Sequence, residues 1–137
     1  LMQRVRGQIW DAVFSPNLHL PANEWCALGA VLSSSTRNVL RINIAPDYTI
    51  DLNIQFSDNN IKINSKRSSN PDEEPFQLAY AKKGDYCILF IKAKQKLDTP
   101  IINDLLGCGT FLTTPTKNKR YGLNDYGIEE SHLSLIP

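Results

Sequence analysis

The chain is poor in the residues that bind metals or form disulfide frameworks. Its 137 residues include three cysteines and two histidines, and no two cysteines stand in a CxxC spacing. A structural zinc site needs several thiolate or imidazole ligands at short spacings. We therefore expect no metal and no cofactor, and we interpret Cys26, Cys87 and Cys108 as buried thiols. A disulfide between Cys87 and Cys108 would require an oxidising compartment.

Neither sign of charge dominates, and long apolar runs are absent. The 15 basic and 14 acidic residues give a formal net charge of +1, which excludes the overall field of a strongly basic nucleic-acid binder but not a local patch. No apolar stretch approaches the roughly 20 residues of a membrane-spanning helix, and no signal-peptide pattern is present. We expect one soluble domain over 1–137, and we favour the cytoplasm.

The familiar catalytic motifs are also missing. The sequence contains no GxSxG, HExxH, P-loop or GxGxxG pattern. His19 lies in a proline-bounded turn and His132 in the polar tail; either could act as a general base, but a solvated or satisfied histidine is the commoner case. Asp51 and Lys66 have a spacing that a metal-dependent nuclease could use, but Asn64 stands where the second carboxylate is needed. These absences favour a protein that is not an enzyme.

The strongest pattern that is present is an alternation of apolar and polar residues from Val39 to Ile63. A period of two is typical of a half-buried antiparallel strand, because successive side chains point to opposite faces. The breaks at Pro46-Asp47 and at Ser57-Asp58-Asn59 predict tight turns, so the segment predicts a meander. One face would carry Leu40, Ile42, Ile44, Tyr48, Ile50, Leu52, Ile54, Phe56, Ile61 and Ile63.

The segments that follow differ in composition. Residues 66–75 are polar and Ser-rich, which predicts a mobile loop. The stretch from Tyr86 to Ala93 is apolar at nearly every position, as expected for a central strand that is buried on both faces.

Two segments predict helices that would cover the sheet. Apolar residues recur at helical spacing over 2–14, and Thr99, Pro100 and Gly107 supply a cap, a first turn and an exit for a short helix at 100–106. Residues 21–35 are compatible with either a helix or a buried strand. The predicted fold is therefore α+β, with an antiparallel meander of about five or six strands under these helices.

On this fold the polar side of the meander is the best candidate for a binding surface. We predict a noncatalytic interaction domain, acting as a subunit, adaptor or inhibitor, that binds another protein through this face or through a sheet edge. The residues predicted to contact the partner are Arg41, Asn43, Asp51, Asn53 and Gln55.

The alternative is a nucleic-acid-binding protein. Lys117, Lys119, Arg120 and Tyr121 combine cations for phosphates with a ring for base stacking. With the strand, short helix and Gly107-Cys108-Gly109 before it, this segment is similar to the second half of a LAGLIDADG homing-endonuclease repeat. Ala27 to Ser35 would then be the signature helix, and Ser34 would replace its metal-binding acid. The resemblance implies a degenerate nuclease.

The order of elements permits one more resemblance. An uncapped N-terminal helix on an antiparallel meander is similar to the soluble part of a pilin or pseudopilin. This resemblance implies an extracellular assembly subunit, and it would require the disulfide considered above.

Overall fold

The structure is a computed structural model that describes residues 4–5, 9–10, 20–32, 38–45, 48–58, 60–68, 75–97, 102–106, 111–112 and 122–137. These residues form eleven strands and two short 3-10 helices, the latter at Leu123–Tyr126 and Glu130–His132. The strands are β1 (Arg4–Val5), β2 (Ile9–Trp10), β3 (Trp25–Leu32), β4 (Asn38–Ala45), β5 (Tyr48–Ser57), β6 (Asn60–Arg67), β7 (Phe76–Lys83), β8 (Tyr86–Ala93), β9 (Ile102–Leu106), β10 (Phe111–Leu112) and β11 (Ser134–Ile136).

The alternating segment of the sequence forms most of a four-stranded antiparallel sheet. Its strand order is β6-β5-β4-β9, and the three consecutive strands β4, β5 and β6 form the predicted meander. Apolar residues at every second position of β4 and β5 are fully buried, including Leu40, Ile42, Ile50 and Leu52. The meander and its buried face are therefore confirmed.

A second antiparallel sheet has five strands in the order β10-β3-β8-β7-β11. Side chains from both sheets meet in one apolar core, in which Leu28, Leu78 and Leu89 of the five-stranded sheet lie in the same cluster as Leu40 and Leu52 of the four-stranded sheet. The two sheets therefore pack face to face as a β-sandwich. Strands β1 and β2 pair with each other as a separate two-stranded sheet.

The outer face of the five-stranded sheet is covered by the C-terminal part of the chain. Ile88 and Phe90 of β8 pack there with Ile128, and Leu123, Tyr126 and Leu133 add partly buried contacts. Strand β8 is thus buried from both sides, with five consecutive buried residues at its centre. The prediction of a central, doubly buried strand is confirmed.

The predicted α+β class is wrong, because the cover of the meander is a second sheet. Within the helix predicted over 2–14, Arg4–Val5 and Ile9–Trp10 are strands, and the helix predicted at 100–106 is replaced by β9, which pairs with β4. The described residues contain no helix of seven or more residues, and the cover of the five-stranded sheet includes only the two short 3-10 helices. Over a few residues, the same apolar spacing is compatible with a helix and with a strand. Backbone hydrogen bonds to a neighbouring strand stabilise the strand here.

The same result removes structural support from both resemblances. The LAGLIDADG comparison needs a helix over Ala27 to Ser35, but Trp25–Leu32 is a strand. The pilin comparison needs a long N-terminal helix, whereas the described N-terminal residues are strands. Within the described residues the helical segments are the two 3-10 helices, and neither is long and apolar enough to span a lipid bilayer.

The predicted loop at 66–75 is shorter than expected. Lys66 and Arg67 belong to β6, and the backbone N–H of Ser68 donates to the carbonyl of Thr49 at 3.0 Å. Residues 69–74 lie outside the described residues, so the prediction of mobility there stays a prediction.

Candidate functional site

The outer side of the four-stranded sheet collects the polar residues of its three meander strands. The five residues predicted as a binding surface all lie on this side, Arg41 and Asn43 on β4 and the others on β5. Their alternation with buried neighbours fixes this placement. We call this surface the polar face, and it comprises Arg41, Asn43, Thr49, Asp51, Asn53, Gln55, Lys62, Asn64 and Lys66.

The set of residues predicted to contact a partner omitted the contribution of β6. The register of β5 and β6 pairs Asp51 with Lys66, Asn53 with Asn64, and Gln55 with Lys62. Lys62, Asn64 and Lys66 are all exposed. The alternation of the sequence continues through β6, so the signal needed to include these three residues was present.

An ion pair between Arg41 and Asp51 lies on the polar face. The two residues are directly opposite in the register, and the guanidinium donates from Nε to Oδ1 at 2.8 Å and from Nη2 to Oδ2 at 3.0 Å. Such a fork-to-carboxylate contact fixes both side chains in one orientation. The pair is part-exposed, with 42% and 28% of the two side chains accessible.

The charges around Asp51 also set its protonation. Hydrogen bonding by Arg41 lowers the pKa of Asp51 below its ordinary value of 3.8. Partial burial opposes this effect, while the positive charges of Arg41 and Lys66 add to it. Asp51 is therefore ionised at neutral pH, and its charge is directed at Arg41.

The centre of the polar face is made of amides. Asn53 and Asn64 face each other across β5 and β6, and Gln55 follows two residues after Asn53 on the same side. All three side chains are exposed. Each amide carries two N–H donors and one carbonyl acceptor, so the group can both donate to and accept from a ligand.

The backbone under these amides is held firmly. Ile50, Leu52 and Ile54, which alternate with the polar residues of β5, are at most 1% exposed. Because β5 is paired on both sides, its side chains project from a fixed ladder. Sites on paired strands keep their geometry better than sites on loops.

A second polar cluster lies on the other sheet. Trp25 donates from Nε1 to Glu130 Oε1 at 3.1 Å, and Lys92 Nζ lies 5.4 Å from the centroid of the Trp25 ring and 4.0 Å from the same carboxylate oxygen. These contacts tie the C-terminal cover to β3 and β8. A cleft of about 460 Å³ adjoins them, lined in part by Glu24, Trp25 and Asp125.

The described cysteines are poorly placed for chemistry. Cys26 and Cys87 are both buried, and burial raises the pKa of Cys87 to about 12. A thiol with such a pKa is a weak nucleophile at neutral pH. Among the described residues, no three His, Cys, Asp or Glu side chains are grouped so that they could hold a metal ion.

Several predicted elements lie outside the described residues. These include the basic segment with Lys117, Lys119, Arg120 and Tyr121, and also Ser34 and Cys108. The arrangement of Asp51 and Lys66 considered for a nuclease is described, and there the carboxylate is engaged by Arg41 in a bidentate contact.

No family model, curated protein or solved structure matches this chain.

Proposed function

We propose that this chain is a noncatalytic recognition module that binds a macromolecular ligand through the polar face. The observation that carries the proposal is the exposed amide group of Asn53, Gln55 and Asn64 on two paired strands over a buried core. Exposed amides contribute little to folding, since surface substitutions usually change stability by less than about 0.5 kcal/mol. Binding is a role that uses both their donors and their acceptors.

The chemistry of the face favours a ligand rich in hydroxyl groups, namely a glycan chain. A hydroxyl, like an amide, both donates and accepts hydrogen bonds, so the two groups pair in either direction. Protein hot spots instead centre on large apolar or aromatic anchors. Among the residues whose side chains the structure describes, the exposed large apolar residue is Leu135, on the five-stranded sheet, and the half-buried Val39 neighbours the amides.

Glycan binding can be tested directly with an array of oligosaccharides, followed by calorimetric titration of the best ligand. The variants Asn53→Ala and Asn64→Ala each remove hydrogen bonds to the ligand, and we expect about a tenfold loss of affinity for each. Asn124→Ala is the matched control, because Asn124 is also exposed but lies in a 3-10 helix beside the other sheet. Equal binding by all three variants would contradict the proposal.

A protein partner is the second candidate, and the position of β6 favours it. In the described part of the chain β6 is the end strand of its sheet, and a strand of a partner could add to such an edge. This mode would suit an adaptor, subunit or inhibitor. It would slow hydrogen exchange of the backbone amides of 60–67 that point away from β5, whereas a glycan on the polar face would leave those amides unchanged.

A further inference from the structure

We propose that the ligand of the polar face is an acidic glycan, whose carboxylate or sulfate groups contact Lys62 and Lys66 while its hydroxyls contact the amides between them. This inference rests on the proposed function, because it names the class of glycan that the same face selects. It concerns the half of the face formed by β6.

The polar face carries an excess of positive charge. Its cations are Arg41, Lys62 and Lys66, and its one carboxylate is Asp51, so two positive charges are in excess, whereas the whole chain has a net charge of only +1. The register also places Asp104 of β9 beside Arg41, and counting that residue still leaves an excess of one positive charge.

The two lysines of β6 differ in their distance from acidic residues. Lys62 lies opposite Gln55, a neutral residue, and no acid occupies its cross-strand position. Lys66 lies opposite Asp51, but both oxygens of that carboxylate accept hydrogen bonds from the Arg41 guanidinium. Neighbouring strands are about 4.8 Å apart, so Asp104 on β9 is about 14 Å from β6. At physiological salt the Debye length is about 8 Å, and a charge at that distance is largely screened.

The spacing along β6 matches a chain ligand with repeated groups. Lys62, Asn64 and Lys66 are alternate residues on one side of a strand, so consecutive members are about 7 Å apart and the lysines are about 13 Å apart. A chain that carries anionic groups on either side of a neutral sugar can contact both lysines and the amide.

A nucleic acid is the other polyanion to consider, and the face lacks what single strands need. Proteins that bind single strands combine cations with exposed aromatic rings on which bases stack. The nine residues of the polar face include no aromatic residue.

The experiment compares one oligosaccharide with and without a sulfate group, titrated against the same protein at the same ionic strength. We expect the sulfated form to bind about fivefold more tightly, the effect of one exposed charge pair. The variant Lys62→Gln with Lys66→Gln removes this preference, so that it binds the sulfated and the neutral form equally. Lys82→Gln with Lys96→Gln is the matched control, since both lysines are exposed, lie elsewhere and change the net charge equally.

The outcomes separate this inference from the proposed function. Equal binding of both forms, with a loss in Asn53→Ala, would overturn the acidic glycan and support the proposed function. Binding of neither form would overturn both. If the Lys82 and Lys96 control variant lost the preference for the sulfated form as the Lys62 and Lys66 variant does, the preference would reflect the net charge of the protein. That result would overturn the assignment of the site to β6. Binding of a single-stranded oligonucleotide as tight as the sulfated glycan, with the same dependence on the lysines, would overturn the glycan assignment.

Discussion

The outer faces of the two sheets differ although their inner faces share one core. The five-stranded sheet packs Ile88 and Phe90 of its outer face against the C-terminal residues around Ile128. The four-stranded sheet presents Asn53 and Gln55 at equivalent outward positions. One outer face therefore contributes to the core, while the other leaves its polar side chains exposed.

The burial patterns of the central strands β5 and β8 account for this difference. In β5, buried residues alternate with polar ones, whereas β8 has a run of buried residues from Cys87 to Ile91. A strand that is covered on both sides needs apolar residues at every position. A strand with one solvent-exposed side needs them at every second position. Substitutions at outward positions should therefore destabilise the protein strongly in the five-stranded sheet and little in the four-stranded sheet.

Phe90→Ala should have the largest effect on stability. Phe90 is fully buried on the outer face of the five-stranded sheet, and truncation would leave a cavity under the C-terminal cover. We expect the free energy of unfolding to fall by about 3–5 kcal/mol, measured by urea denaturation. A loss below about 1 kcal/mol would mean that this face is not a second core.

Tyr126→Leu tests the cover itself. The Tyr126 ring contacts Phe90 edge to face, with the ring centroids 6.2 Å apart. Leucine keeps an apolar side chain but loses the aromatic geometry, so we expect a loss of about 0.5–1.5 kcal/mol. Tyr48→Leu is a useful comparison, because Tyr48 lies beside Phe76 on the inner core at 6.4 Å in a tilted arrangement. A neutral result at Tyr126 would contradict close packing of the cover.

Asp51→Asn should have a smaller effect that depends on pH. The pKa of Asp51 is lowered in the folded state, so its contribution to stability is present above about its ordinary value of 3.8 and is lost as pH falls through the lowered value. The ion pair is part-exposed, and we expect its removal to cost less than about 1 kcal/mol at neutral pH. Denaturation at several pH values gives the difference in free energy of unfolding between wild type and Asp51→Asn, and this difference should disappear in acid. If the difference instead grew as the pH fell, the pKa of Asp51 would not be lowered by folding.

Asn53→Ala combined with Asn64→Ala should have the smallest effect on stability. Both amides are exposed and point away from the core, so the free energy of unfolding should change by less than about 0.5 kcal/mol. Thermal denaturation would measure this change. A large destabilisation would assign the amides to folding and weaken the contrast between the two outer faces.

Where the sequence repeats a period over many residues, it predicted the structure well. The alternation identified the meander and the buried side of β4 and β5, because one slipped residue would expose Leu40, Ile50 and Leu52 together. The same pattern placed all five predicted residues on one side. It also extended to β6, where Asn64 and both lysines were left out of the predicted set.

Where the signal was short or depended on a distant partner, prediction failed. Ile102–Leu106 has helical apolar spacing, but pairing with β4 makes it a strand. The choice between helix and strand for 21–35 could not be made locally, and β3 forms through its pairing with β8. An apolar sheet face requires a cover, but it does not specify whether the cover is a helix or a second sheet.

The central claim is that ligands bind the polar face of the four-stranded sheet. Backbone and side-chain amide resonances, followed by NMR during titration with the best oligosaccharide from the array, test it most directly. The account predicts that shifts concentrate on the side chains of Asn53, Gln55 and Asn64, with those around Trp25 and Glu130 unchanged. Shifts centred on the cleft beside Trp25, with the three amides unmoved, would contradict it.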